Sequence, residues 1–319
     1  MSSIICHGEA LIDFVPTVTG VTLIEAPAFI KAPGGAPANV AVGLARLGLT
    51  AGFMGQVGED AFGHFLSQTL RDNGVDVSTL KFSTAARTAL AFVSLKADGD
   101  RDFMFYRHPS ADMLFGPEDV DANAIRSAQA FHFGSISLIS DPSRAATLHA
   151  LAIAQAARLL ISYDPNLRLP LWPSPQSAKG GVLLAWPLAD VIKVSEEELA
   201  FFSGVADLEQ GVRQLWHDRL KLLVVTRGKD GCAYFTTNFH GSVAGFNVAA
   251  IDATGAGDAF VAGLLKGLLS QPAALNNESL LRDICRYANA VGALTTTQRG
   301  AIPAPPTAEQ VERFLADSG

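Results

Sequence analysis

The sequence predicts one α/β domain over residues 1–319, with a mostly parallel central sheet, helices on both faces and a small β-sheet lid. Three observations carry that expectation. Short apolar strand patterns alternate with helical patterns along most of the chain. Glycine-rich turns fall directly after strand patterns, where open parallel sheets bind their ligands. Two stretches, 21–32 and 88–107, break the alternation and read as antiparallel strand material, so the lid is drawn from about 13–32 and 88–107.

Residues 3–7 form the first strand pattern. The helical pattern over 37–47 has proline in its first turn and Gly48 just past its end, an asymmetry that backbone preferences favour. A strand over 50–57 and a helix over 61–73, closed by Gly74, repeat the unit. Residues 130–134 are a strand and 142–158 a helix. Strands follow at 159–163, 191–194 and 222–226, the last rich in β-branched residues, and two late helices cover 256–270 and 279–295. Within 88–107, the run Ala97-Asp98-Gly99-Asp100-Arg101 reads as a hairpin turn between two apolar segments.

The composition narrows the function classes. With 319 residues, 49% of them hydrophobic, the chain can bury a sizeable core. A net charge of −7 without a Lys/Arg-rich run argues against an electrostatic nucleic-acid binder. A membrane span needs about 20 consecutive apolar residues. The longest candidate, 148–161, is interrupted by His149, Gln155 and Arg158 and reads as an amphipathic helix. Cys6, Cys232 and Cys285 are far apart and form no CxxC pair, which argues against a disulfide framework or a zinc site. With no signal-peptide pattern, a cytoplasmic setting is expected.

Chemistry concentrates in a few turns. In Asp252-x-Thr254-Gly255-Ala256-Gly257-Asp258 a glycine-rich turn opens an apolar helix. Free N–H groups and the positive end of the helix dipole make such a start an anion site. Asp258, in the first helical turn, can take a proton from a hydroxyl attacking a phosphoryl group, or can merely complement the dipole. Position 260 is Phe260, so the third glycine of a dinucleotide fingerprint is missing, and no GxxxxGK[ST] run occurs. Gly34 and Gly35 lead into a helix whose opening turn carries Asn39, an amide that both donates and accepts as a polyol requires. Asp13 ends the first strand region; taken alone, it reads equally as a solvated turn residue.

Taken together, Gly34-Gly35-x-x-x-Asn39, then Gly55-Gln56-Val57-Gly58-Glu59-Asp60-Ala61-Phe62-Gly63, then Asp252 to Asp258 resemble the ribokinase-like (pfkB) family of carbohydrate kinases. The order and spacing match, and the resemblance covers essentially the whole chain. Within that family, residues 8–15, 31–46, 87–92, 105–112 and 163–168 look like the fructokinases of plants and bacteria. The resemblance implies a three-layer sandwich that uses ATP and Mg²⁺, and K⁺ in many relatives.

It also implies roles. Asp258 looks like the catalytic base, and the backbone of Gly255, Ala256 and Gly257 like the hole for the transferring phosphoryl group. Asp13, Gly34, Gly35 and Asn39 match sugar-holding positions, with Phe105 beside them. Thr226, Gly228 and Gly231 match the loop lining ATP, and Asn289 the helix flanking adenine. Arg107 and Arg168 match arginines that reach substrate or phosphates, with a structural ion pair as the alternative for each. Glu198 matches a residue that acts on Mg²⁺ through water, although Ser195 stands where the family usually has Asn. Asp252, Thr254, Thr295, Gln298 and Gly300 fit a K⁺ site, with Ala304 where Ser is common.

The resemblance therefore implies phosphorylation of fructose to fructose 6-phosphate. The rivals are a 2-keto-3-deoxygluconate kinase and, from another class, a catalytically silent sugar-binding regulator. No nucleic-acid or membrane partner is expected, and the lid strands suggest a homodimer clasp.

Overall fold

The computed structural model describes residues 2–95 and 101–318. In chain order, β1 (Ile4–His7), β2 (Leu11–Pro16) and β3 (Phe29–Gly34) lead to α1 (Ala36–Arg46), β4 (Ala51–Gly58), α2 (Ala61–Asp72) and β5 (Leu80–Ser83). Next come β6 (Leu90–Leu95), β7 (Arg101–Tyr106), α3 (Ala122–Arg126), β8 (Ala130–Phe133), α4 (Ser143–Ala156) and β9 (Leu160–Tyr163). The chain continues through α5 (Pro175–Ala185), β10 (Val191–Ser195), α6 (Glu196–Ser203), α7 (Leu208–Leu215) and β11 (Leu222–Thr226). It ends with β12 (Cys232–Phe235), β13 (His240–Val243), α8 (Ala256–Ser270), α9 (Glu278–Thr295) and α10 (Ala308–Asp317).

The main sheet has nine strands in the order β13-β12-β11-β10-β9-β8-β1-β4-β5. All neighbours are parallel except the pairs β11–β12 and β12–β13. Strand β1 lies between β4 and β8, so the chain builds outward one way and then restarts on the other side of β1. That reversal is a topological switch point, and the crevice beyond its strand ends is where such sheets bind ligands.

Successive residues of β1 enter opposite cores. Ile5 packs with Phe131, Phe133, Ile161, Val182 and Phe202 on the α4–α6 side. Ile4 and Cys6 pack with Ala41, Leu44, Val261, Leu265 and Val291 on the α1, α8 and α9 side. A sheet covered on both faces needs apolar residues at every position, which is why its strands read as continuous apolar runs.

The smaller sheet has the order β3-β2-β6-β7. β2 runs antiparallel to β3 and parallel to β6, and β6 runs antiparallel to β7. Leu11, Ala89 and Ala91 form its small core, with Phe105 and Val93 packed against it.

Three sequence expectations need correction. The 21–32 stretch is a strand only from Phe29. Before it, the Glu25 carboxylate accepts the Thr22 N–H and hydroxyl, and these local bonds favour a turn over a ladder. The apolar run 148–161 is not one helix. α4 stops at Ala156, Arg158 turns the chain in the left-handed conformation (φ 58), and β9 starts at Leu160. The small sheet is not wholly antiparallel, since β2 and β6 run together. The hairpin turn expected at 97–101 lies outside the described residues, apart from Arg101 at the start of β7.

Candidate active site

Two helices start at the switch point on glycine N-caps without side-chain caps: α1 at Gly35 (φ 107) and α8 at Gly255 (φ 77). Both φ values lie where an L side chain is strained, so glycine is the residue that makes these turns cheaply. A Cβ on Gly35 would collide with the Glu9 carbonyl, and one on Gly255 with Ala301. The first helical bond of α8 runs from the Ala259 N–H to the Gly255 carbonyl. The N–H groups of Gly257 and Asp258 precede that ladder and face the end of the helix, a ready anion site.

Asp258 is 6% exposed. Its carboxylate accepts from Asn39 Nδ2 at 2.7 Å and from Asn166 Nδ2 at 3.1 Å. Burial, with Asp164 nearby, pushes the carboxyl up to about 6, against the opposing pull of the Asn39 bond, Lys193 and Arg168. Asp13 lies against Gly34, where a Cβ would strike its carboxylate. Burial, aided by Asp258 and opposed by Arg168, also raises Asp13 to about 6. Asn39 Oδ1 is buried and has no hydrogen-bond partner among the described residues. An orphaned acceptor beside a base is what a sugar hydroxyl would satisfy.

Four residues that sequence reasoning did not single out complete the site. Asn166, in the left-handed region (φ 43), is the second amide on Asp258. Lys193 on β10 bonds Asp164 at 3.0 Å, and both are buried. A Cβ on Gly257 would lie 3.2 Å from Lys193 Nζ, so this cation borders the α8 anion site. Burial would lower Lys193, yet Asp164, Glu198 and Asp258 carry it above the ordinary lysine value. Glu9, 3% exposed, accepts the Ala36 N–H at 2.9 Å and so caps α1 from outside the helix. Burial raises Glu9 to about 7, with Arg107 opposing. The signal for Asn166 was present, since it lies inside the quoted 163–168 run. Asp164 lies in the same run and Glu9 in the quoted 8–15 run, while Lys193 is made meaningful only by tertiary contact.

The nucleotide-loop residues also come together. Thr226 ends β11 opposite Ser195 of β10. The Arg227 N–H bonds the Gly231 carbonyl, closing the Gly228–Gly231 turn, and a Cβ on Gly231 would strike the 243–245 backbone. Asn289 donates to the carbonyls of Val243 and Ala244, so it braces this edge rather than presenting a free amide. At the other side of α8, Asp252 accepts from the N–H groups of Thr254 and Gly300, and the Gln298 N–H bonds the Thr295 carbonyl. Asp252, Thr254 and Gly300 are thus tied together, and Thr295 and Gln298 lie in the adjoining turn, whose Thr296 carbonyl accepts the Asp252 N–H.

Three expected contacts have other partners. Arg107 is buried in an ion pair with Asp112, which also accepts from Ser110. Glu198 closes a capping box on α6 by accepting the Ser195 N–H, and it accepts the Leu167 N–H with its other oxygen. Phe105 packs in the small-sheet core. Arg168 is half-buried, bonds the Leu167 carbonyl and acts electrostatically on both Asp13 and Asp258.

Comparison with known proteins places this geometry. The pattern of the pfkB family carbohydrate kinases matches residues 1–308. Over 315 residues the chain is 55% identical to probable fructokinase-4 of Arabidopsis thaliana, covering 98% of this chain and 97% of that protein. The crystal structure of fructokinase with bound ATP from Xylella fastidiosa superposes with a TM-score of 0.92 at 36% identity, covering 100% of this chain and 99% of that one. A double-mutant fructokinase of Vibrio cholerae O395, in its fructose, ADP and potassium ion bound form, gives 0.89 at 40% identity, covering 99% and 98%.

Proposed function

The chain belongs to the pfkB family of carbohydrate kinases, and from that premise we infer that it is an ATP-dependent fructokinase, converting D-fructose to D-fructose 6-phosphate. The carrying observation is Asp258: a buried carboxylate gripped by two amides at the open start of α8. That placement puts a proton acceptor and an anion site on the same helical turn.

In this reading Asp258 takes the proton from the attacking sugar hydroxyl. The turn Gly255-Ala256-Gly257 receives the charge on the transferring phosphoryl oxygens through the free N–H groups of Gly257 and Asp258, the Ala256 N–H being bonded to the Ala253 carbonyl, with Lys193 as the adjacent cation. Asp13, Gly34, Gly35 and Asn39 hold the sugar, the orphaned Asn39 Oδ1 accepting one hydroxyl proton. Thr226, Gly228, Gly231 and Asn289 form the nucleotide edge. Arg168, near both carboxylates, serves the incoming phosphoryl group.

Mg²⁺ bound with ATP would neutralise phosphate charge. Each Glu198 oxygen already accepts one N–H, so the residue fits Mg²⁺ through water, since this ion keeps several waters. K⁺ would strengthen the anion site, and the oxygen-rich turns of Asp252, Thr254, Thr295, Gln298 and Gly300 fit a large monovalent ion. The small sheet acts as the lid, its strand β3 joining the domain through Gly34 and Gly35. Exposed Val15 and Ile30, paired across β2 and β3 on one face of that sheet, are the surface for a homodimer clasp, while Met104 and Tyr106 are exposed on the other face. A keto-acid substrate loses one of its two candidate cations to Asp112.

A coupled ADP-release assay with ATP and Mg²⁺, across fructose, glucose, ribose and 2-keto-3-deoxygluconate, tests this reading. Turnover on fructose supports it; preference for the keto acid overturns the substrate assignment.

A further inference from the structure

We propose that the chain carries a second small-molecule site, remote from Asp258, that binds an organic anion: a phosphate or carboxylate head on a partly apolar body. The site is a cavity of about 580 Å³ under the opposite end of the sheet. That size falls in the usual range for small-molecule pockets.

Its walls argue for the ligand class. Leu159, Leu160, Leu268 and Leu275 form an apolar floor, and the amides of Gln129 and Asn276 supply neutral polar groups. Among the described residues Arg158 and Lys221 are its only charged liners, although the chain as a whole is acidic at −7. Lys221 shares Asp190 with Arg219, so two cations divide one carboxylate there. The local balance, with Arg158 added, is positive.

Arg158 supplies the second, independent observation. It holds the left-handed turn after α4 (φ 58), closed by the Leu159 N–H on the Ala154 carbonyl. Glycine is favoured at that position. The chain accepts that strain and thereby sets an exposed guanidinium on the cavity rim.

The site is separate from the catalytic one. Lys221 precedes β11, whose far end is Thr226, and Leu268 and Leu269 lie more than two turns along α8 from Asp258. By helical rise that is about 15 Å.

The test uses the whole protein with fructose and a non-hydrolysable ATP analogue saturating the catalytic site. Anilinonaphthalene sulfonate, an apolar organic anion, is titrated by fluorescence against the wild type and an Arg158→Gly, Lys221→Gln double variant. Glycine keeps the turn and Arg219 keeps Asp190 paired, so the variant should fold, as thermal melting would verify. Binding weakened at least about tenfold in the variant supports the site. Displacement of the probe by inorganic phosphate marks a phosphate head, and displacement by citrate a carboxylate head; either supports the proposal. Equal probe binding in both proteins, or displacement by neither anion, overturns it.

Discussion

At the scale of single residues, the site stores electrostatic cost where the chemistry needs it. Asp258 and Asp13 are both raised to about 6 by burial. A carboxylate whose folded value is raised binds protons more tightly when folded. Its penalty is therefore absent below about pH 4, grows as pH rises through 6 and is complete above it. Replacing Asp258 by Asn removes that penalty together with the base. The expected outcome is a kcat lower by about two to four orders of magnitude, with a thermal midpoint unchanged or raised. Near-normal turnover would remove Asp258 from the mechanism. The same value sets the acid limb: kcat should fall as pH drops through about 6, because the protonated form cannot accept a proton.

Glu9 gives a separable signature. Its carboxylate holds the Ala36 N–H just after the Gly34-Gly35 turn proposed to hold the sugar and protonates near 7, facing Arg107 and Asp112. The fructose KM should rise as pH falls from 8 to 6, while kcat holds until the lower limb. In Glu9→Gln the KM should be higher by about two- to fivefold at pH 8 and flat with pH, because a neutral amide accepts a weaker bond and does not titrate. Sequence reading reached Asp258, Asn39 and Asp13 because each sits in a short local motif. It missed Lys193 because Asp164 lies 29 residues away, and only the fold brings them together.

At the scale of elements, the starts of α1 and α8 decide the site. Gly257 in α8 has an ordinary helical backbone, so alanine there keeps the helix. Its Cβ would crowd Lys193 Nζ at 3.2 Å and shield the anion site. Gly257→Ala should lower kcat/KM for ATP by at least about tenfold with a melting shift of only a few degrees. Gly255→Ala, at φ 77 and against Ala301, should instead destabilise the fold as well.

Strands β1, β4, β8, β9, β10 and β11 and helices α1, α2, α4, α8 and α9 were legible because burial writes continuous or periodic apolar patterns, whereas the four-residue strands β5, β12 and β13 and helices α3 and α10 were not read. Nor were helices α5, α6 and α7. α5 contains Gly180 and Gly181, and α6 and α7 are only eight residues each, too short for periodicity to stand out. The α6 capping box, Ser195 to Glu198, was instead read as a metal motif, because the same spacing serves both.

For the whole molecule, the sheet order explains why distant segments share one crevice. Asp13 and Asn39 come from the first part of the chain, Asp164 and Asn166 follow β9, Lys193 lies on β10, and Asp258 opens α8. The switch at β1 gathers them at one end of the sheet. The small sheet stands over that end with Val15, Ile30, Met104 and Tyr106 exposed. If Val15 and Ile30, which share one face, form the dimer clasp, Ile30→Lys should raise the monomer fraction in sedimentation, and an unchanged distribution would place the contact elsewhere.

The central claim is that the chain phosphorylates fructose with ATP, the buried Asp258 at the start of α8 taking the proton from the attacking hydroxyl. Its most direct test is ADP release with ATP and Mg²⁺ on fructose, run side by side for the wild type and Asp258→Asn. The account predicts rapid turnover by the wild type and a loss of at least about a hundredfold in the variant. Absence of wild-type turnover on fructose, or a variant that turns over as fast as the wild type, would contradict it.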